Sequence, residues 1–137
     1  MNSELQQKLF EKYPEIFRQK DLDKTVSAMC WGISCGDGWY DLIDCLCWQI
    51  KNRVENVNRR KKEDEEKLIC EAVQVKEKFG GLCFYTYGGD EFIDGVISLA
   101  ETLSYQTCSD CGKPSEKNDE HRGWIYTRCK ECKDKHQ

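Results

Sequence analysis

Histidine is scarce in this sequence of 137 residues, and the only two, His121 and His136, lie close to its end. The rest of the chain therefore offers no histidine that could activate a serine or cysteine nucleophile. The sequence also lacks the Gly-x4-Gly-Lys-Ser/Thr loop that binds phosphates and the His-Glu-x2-His motif of metalloproteases. We therefore expect a protein without enzymatic activity.

Long apolar runs and an N-terminal signal are also missing. No stretch approaches the roughly 20 apolar residues that a membrane-spanning helix needs. Residues 1–7 do not combine a basic segment with an apolar one, as a secretory signal does. The net charge of −4 gives no general attraction to the phosphate backbone of nucleic acids. We expect a cytoplasmic protein that does not associate with membranes.

Cysteine, in contrast, is abundant, with ten residues. Four of them form two Cys-x2-Cys pairs, Cys108 with Cys111 and Cys129 with Cys132, separated by 17 residues. This spacing is typical of a structural zinc site, because the turn in each pair directs two sulfurs at one ion. Two redox dithiols or two disulfides are the weaker alternative, since no βαβ context surrounds the pairs. We predict one structural Zn²⁺ ion as the only cofactor.

The sequence assigns no role to the other six cysteines, which are Cys30, Cys35, Cys45, Cys47, Cys70 and Cys83. The first four also allow the hypothesis of a second metal site, although their spacing is poor for zinc. Cys35 precedes a predicted helix, whose N-terminus can lower a thiol pKa and make the thiol reactive. We expect it instead to be buried as a small apolar side chain.

Apolar periodicity and turn residues predict an α+β fold, in which two amphipathic helices pack on a small antiparallel hairpin or sheet. Asp37 and Asp90 are the expected N-caps of the two helices. The predicted elements of the core, residues 1–106, are an N-terminal helix, a short strand at 29–33, a long helix at about 38–60, a hairpin at about 70–87 and a helix at about 90–104. We expect residues 107–137 to form a zinc ribbon that packs on this core.

Several stretches together resemble a family of small, functionally uncharacterised proteins of bacteriophages and prophages. The matching stretches are residues 36–43 (Gly-Asp-Gly-Trp-Tyr-Asp-Leu-Ile), 75–85, 100–104 and 123–129, with the Cys-x2-Cys pairs. The Lys-Glu-Lys-Phe-Gly-Gly run within the second stretch is the most specific of them. The resemblance implies a phage origin and a location in the host cytoplasm, but no established reaction.

Two positions depart from the family pattern. Relatives often have arginine where this chain has Cys83, so a function of that arginine would be absent here. The last metal ligand of relatives is often histidine, where this chain has Cys132. Both residue types bind zinc, so the second exchange leaves the predicted site intact.

The hairpin turn is the expected place of specificity, because it combines charges, aromatic rings and glycine. The candidate binding surface consists of Lys76, Lys78, Phe79, Gly80, Gly81, Tyr85, Tyr87 and Trp124. The alternative for Phe79 is a ring that packs into the core, and strand spacing places Tyr85 there too. The sequence does not determine the oligomeric state.

Two functions remain open. The first is a non-enzymatic, phage-encoded zinc protein that binds a host protein or a small ligand, with inhibition of a bacterial antiviral defence as one form. The second is a transcriptional regulator that binds nucleic acid through its zinc ribbon. A basic run could serve the second function, and it comprises Arg53, Arg59, Arg60, Lys61 and Lys62.

Overall fold

The structure, a computed structural model, describes residues 1–116, 119–121 and 123–136, and of residues 119–121 only the backbone. In chain order its elements are α1 (Ser3–Lys12), β1 (Ile33–Ser34), α2 (Tyr40–Arg59), β2 (Cys70–Lys78), β3 (Gly81–Gly88), α3 (Glu91–Ser104), β4 (Asp119–His121), β5 (Trp124–Tyr126) and α4 (Lys130–Lys135). Short 3₁₀ helices occupy Arg18–Asp21, Ala28–Trp31 and Asp37–Trp39. Helices with a small sheet confirm the predicted α+β class.

The main sheet has the strand order β1-β2-β3. β2 and β3 form the predicted antiparallel hairpin, whereas β1 pairs with β2 in parallel, so the sheet is mixed. The predicted strand at 29–33 was placed too early. Residues Ala28–Trp31 form a 3₁₀ helix, and Gly32, with a φ of 76°, turns the chain into β1.

A β-bulge in β2 breaks the expected alternation. The register shifts between Ala72 and Gln74, which leaves Val73 as the extra residue. Strict alternation would place Ala72 and Val75 on opposite faces of the sheet, yet both are fully buried. The bulge therefore turns two residues three positions apart toward the same core.

Of the two predicted helix caps, Asp90 caps its helix and Asp37 does not. The Asp90 carboxylate accepts a hydrogen bond from the Ile93 amide at 3.0 Å and caps α3 as predicted. Asp37 does not cap α2, because a 3₁₀ turn precedes that helix. Its carboxylate instead accepts two hydrogen bonds from Asn2, at 2.7 Å from the backbone and 3.0 Å from the side chain. Asp37 thereby ties α1 to the start of α2.

The core lies where α2 and α3 pack together and α3 packs against β3. Its fully buried side chains include Leu9, Phe17, Met29, Trp39, Ile43, Ile50, Val75 and Ile93. Within the part of the chain that the structure describes, no helix has the length and apolar character needed to span a membrane.

Candidate metal centre

The four predicted ligands converge at the C-terminal end of the structure. The sulfurs of Cys108, Cys111, Cys129 and Cys132 all lie within 4.8 Å of one another. The first pair sits on a tight turn after α3, closed by a hydrogen bond from the Gly112 amide to the Cys108 carbonyl at 2.9 Å. The second pair lies at the start of α4. The two predicted Cys-x2-Cys pairs therefore form one cluster.

One sulfur–sulfur distance within the cluster matches a tetrahedral metal site closely, and all of them are at most 4.8 Å. Metal–sulfur bonds of about 2.3 Å in a tetrahedron place the sulfurs about 3.8 Å apart. The sulfurs of Cys111 and Cys129 are 3.6 Å apart. A disulfide needs about 2.05 Å, and all ten cysteines are free thiols. The cluster is compatible with one metal ion rather than with a disulfide pair.

Backbone amides prepare the cluster for a cation. Burial alone would raise the pKa of Cys108, but hydrogen bonds from the amides of Cys129, Cys111 and Asp110 lower it to about 7. Burial and hydrogen bonds with the other three thiols raise the pKa of Cys132. A bound cation would reverse that effect, because it favours the thiolate form of every ligand.

The first Cys-x2-Cys turn rests directly on the segment that begins α2. A Cβ atom on Gly36 would overlap the Ser109 carbonyl, and one on Gly38 would overlap the Cys108 carbonyl. The Gly38 amide donates to the Ser109 carbonyl at 2.9 Å. The buried Trp39 ring donates through Nε1 to the Thr107 carbonyl at 2.8 Å. The Gly-Asp-Gly-Trp run therefore packs directly against the first Cys-x2-Cys turn.

The β2–β3 turn also packs against the segments that carry the four cysteines. The Thr127 hydroxyl, fully buried, donates to the Gly80 carbonyl at 2.6 Å. A Cβ atom on Gly81 would overlap the Tyr105 ring. Gly80 and Gly81, which were assigned to the predicted binding surface, are both buried. Without side chains, these two glycines let the β2–β3 turn approach Thr127 and Tyr105 closely.

Among the described residues, the four-cysteine cluster is the one group of three or more potential metal ligands that lies close enough to share an ion. The hypothesis of a second metal site therefore gains no support from the described residues. Cys30 and Cys45 are exposed, whereas Cys35 and Cys47 are buried. Burial raises the pKa of Cys35 to about 12, so its thiol is not activated. His136 also lies outside the cluster and contacts Asp110 at 2.8 Å, and the side chain of His121 lies outside the described residues.

Three of the eight predicted surface residues line one cleft. Lys78 and Phe79 contribute one wall from the β2–β3 turn, and Trp124 contributes another from β5. The cleft has a volume of about 600 Å³ and is also lined by Ser34, Glu77, Gly123, Ile125 and Tyr126. Sequence reasoning could not find Ser34 or Ile125, because only the pairing of β1 with β2 and the packing of β5 beside the hairpin bring them to the cleft. Glu77 lies within the Lys-Glu-Lys-Phe-Gly-Gly run that the sequence analysis singled out.

Both large rings at this cleft face solvent. Phe79 is 69% exposed and Trp124 is 70% exposed. The alternative in which Phe79 packs into the core is therefore wrong. Phe79 has a φ of 52° and is the one described non-glycine residue with a positive φ. Such a backbone costs a residue with a Cβ atom roughly 1–2 kcal/mol.

A carboxylate at this cleft has unused hydrogen-bonding capacity. Glu77 Oε1 is buried and has no hydrogen-bond partner among the described residues. Burial raises the pKa of Glu77, although the attraction of Arg128 opposes that shift. The Arg128 guanidinium stacks 3.9 Å from the centre of the Tyr126 ring and lies 3.1 Å from Asp110. The cleft thus combines exposed aromatic rings with a buried hydrogen-bond acceptor.

The other predicted surface residues lie elsewhere. Tyr85 and Tyr87 alternate with residues that face the core, such as Phe84, so they lie on the opposite face of β3. Tyr85 is not a core residue as strand spacing suggested, because it is exposed. The Lys76 ammonium lies 5.8 Å above the Tyr85 ring, on that same face. The predicted surface is therefore divided between the cleft and the outer face of the sheet.

Comparison with known proteins identifies no relative. No protein-family model, curated protein or solved structure matches the chain. The resemblance to phage and prophage proteins therefore stays a prediction.

Part of the basic run is already engaged within the protein. Arg53 forms an ion pair with Asp90 at 2.9 Å and stacks 5.0 Å from the centre of the Phe92 ring. Lys61 donates to the Glu66 carbonyl at 2.6 Å. The exposed members of the run are Arg59, Arg60 and Lys62, and four acidic residues follow them directly in the sequence.

Proposed function

We propose that this protein is a non-enzymatic zinc-binding accessory protein of phage or prophage origin, and that it binds a host protein through the cleft between the β2–β3 turn and β5. Inhibition of a bacterial antiviral defence is the role that best fits such an origin. The observation that carries the proposal is the exposure of Phe79 and Trp124 at one cleft, although they are distant in sequence.

Zinc is the metal that suits this cluster. Four thiolates in a tetrahedral arrangement are typical donors of structural zinc sites. Iron also accepts four thiolates, so metal analysis of the purified protein has to separate the two. With four protein ligands a zinc ion has no free position for water or substrate. A structural role for the metal therefore supports a function in binding rather than in catalysis.

The turn at Phe79 supports a binding surface. A strained backbone that holds an exposed aromatic ring costs stability and gains no burial, so its benefit is expected outside the folded chain. Aromatic side chains dominate the binding energy of many interfaces. Trp124 supplies the second ring at the same cleft.

The nucleic-acid alternative has weaker support. Phosphate binding depends on clustered cations, and Arg53 is held by Asp90. The remaining exposed cations stand beside Glu63, Asp64, Glu65 and Glu66. The chain as a whole carries a net charge of −4.

A three-variant capture experiment in a bacterial lysate tests the proposal. Phe79→Ala and Trp124→Ala should each reduce recovery of a stoichiometric protein partner at least tenfold, as expected for loss of a hot-spot side chain. Trp31→Ala is the matched control, because Trp31 is also 70% exposed but does not line this cleft. It should retain the partner.

Either of two results would contradict the proposal. One is a partner that all three variants retain, which would place the interface elsewhere. The other is binding of DNA or RNA that weakens steeply with salt and is unaffected by Trp124→Ala, which would support the regulator.

A further inference from the structure

We propose that the metal centre controls the shape of the cleft, and that Thr127 is the positioning residue that connects the two. The inference rests on the proposed function of the cleft and adds how that cleft is regulated. The proposal requires that the walls carrying Phe79 and Trp124 keep their relative position only while a metal ion holds the four cysteines together.

Thr127 stands between the metal ligands and the cleft in the sequence. It directly follows β5, which carries Trp124, and it precedes Cys129 by two residues. Its hydroxyl donates to the carbonyl of Gly80, the residue directly after Phe79. One buried hydrogen bond therefore joins the strand of the Trp124 wall to the turn of the Phe79 wall.

The backbone of Thr127 makes the connection to the first pair of ligands. Its carbonyl accepts a hydrogen bond from the Ser109 amide at 2.9 Å. Ser109 lies between Cys108 and Cys111 and is buried. Thr127 is thus a junction of three segments, namely the first metal-binding turn, the approach to the second, and the β2–β3 turn.

A second link runs through Arg128. Its guanidinium pairs with Asp110, which also lies between the first two ligands, and it stacks on the Tyr126 ring of the cleft. Arg128 directly precedes Cys129. The wall formed by β5 is therefore connected to both Cys-x2-Cys pairs by contacts within two residues of a ligand.

The strand of the Trp124 wall belongs to a small sheet. β4 and β5 form a sheet of only two strands, and an isolated two-stranded hairpin is marginally stable in water. β5 has one exposed and two half-buried residues. Metal binding supplies much of the folding free energy in such small segments. Loss of the metal should therefore release the Trp124 wall while the helical core stays folded.

The coupling has a thermodynamic consequence. If the metal stabilises the cleft that a partner binds, the partner must increase metal affinity by the same factor. A bound partner would then slow the removal of metal by a chelator.

Fluorine NMR of protein labelled with 5-fluorotryptophan tests the proposal without any partner. The four tryptophans give four resonances, which are assigned by substitution with phenylalanine. Removal of metal by a chelator under reducing conditions should shift Trp124 and Trp39, because Trp39 donates to Thr107 beside the first ligand. Trp31 and Trp48 should not shift.

Thr127→Val and Thr127→Ser form the matched pair. Thr127→Val removes the hydroxyl and should shift Trp124 alone, with about one zinc per chain retained. Hydrogen exchange in residues 78–82 should become about tenfold faster, as for the loss of one buried hydrogen bond. Thr127→Ser keeps the hydroxyl and should restore both the Trp124 resonance and slow exchange.

Three outcomes would overturn the inference. An unchanged Trp124 resonance after metal removal would show that the metal does not control the cleft. A wild-type spectrum for Thr127→Val would show that Thr127 is not the connection, and loss of zinc from that variant would show that it supports the metal centre itself. Since none of these measurements involves a partner, their failure is distinguishable from a failure of the Phe79→Ala and Trp124→Ala capture experiment.

Discussion

Replacement of Gly38 by alanine tests how closely the first Cys-x2-Cys turn packs on the core. A Cβ atom at Gly38 would lie 2.6 Å from the Gly112 amide nitrogen and 2.8 Å from the Cys111 amide nitrogen, and would overlap the Cys108 carbonyl. All three neighbours are backbone atoms, so no side-chain rotation can relieve the clash. Gly38 does not have a positive φ, so the cost is steric rather than conformational.

The expected magnitude follows from the distances. Ordinary van der Waals contact begins at 3.4 Å, so the two nitrogens are 0.8 and 0.6 Å too close. Overpacking of this kind costs about 1–3 kcal/mol. Separation of the two segments would also weaken the Gly38–Ser109 hydrogen bond, which contributes about 1 kcal/mol. We expect the free energy of unfolding to fall by about 3 kcal/mol, and Tm by roughly 10 °C.

The assay compares Gly38→Ala with a control in the same protein. Gly95 lies within α3 and has open space around its Cα, so Gly95→Ala should stabilise by about 0.5–1 kcal/mol. Thermal unfolding followed by circular dichroism measures both variants, and metal analysis measures zinc content, which should fall only in Gly38→Ala. A Gly38→Ala protein with wild-type Tm and zinc content would refute the packing described above.

Three further predictions concern other parts of the structure. Cys108→Ser should lower the metal content from about one zinc per chain, as measured by metal analysis, and should destabilise the C-terminal segment, as measured by hydrogen exchange. A wild-type protein that contains no metal under reducing conditions would contradict the metal site. Hydrogen bonds from Arg18 and attraction to it hold the pKa of Glu71 below its ordinary value of 4.5, so this carboxylate stabilises the fold above that pH and loses its contribution as pH falls through the lowered pKa. Glu71→Gln should therefore reduce the loss of stability at acidic pH, measured by urea denaturation at several pH values. An unchanged acid dependence would argue against the Arg18–Glu71 pair. Phe79→Gly relieves the left-handed backbone and should raise the free energy of unfolding by up to about 1 kcal/mol while reducing partner capture, whereas a clear loss of stability in chemical denaturation would show that the ring supports the fold.

Much of the local structure could be predicted from the residues alone. The stripe of apolar residues in α2, the Asp90 cap of α3 and the β2–β3 hairpin depend on neighbours a few positions apart, so the sequence carries their signal. The parallel pairing of β1 and the role of Asp37 could not be predicted in this way. Both depend on partners more than 30 residues distant, namely β2 and Asn2.

The four-cysteine cluster and the cleft between the β2–β3 turn and β5 differ in the same way. The sequence by itself determined which four cysteines form the cluster that could hold a metal ion, because the Cys-x2-Cys turn is a local constraint that short-range geometry enforces. Only the tertiary structure decided that Phe79 and Trp124 share a cleft, and that Gly80 and Gly81 are buried rather than exposed. Those facts follow from how the segment at Thr127 packs on the hairpin, and such contacts between distant segments leave no periodic or spacing signal in the chain.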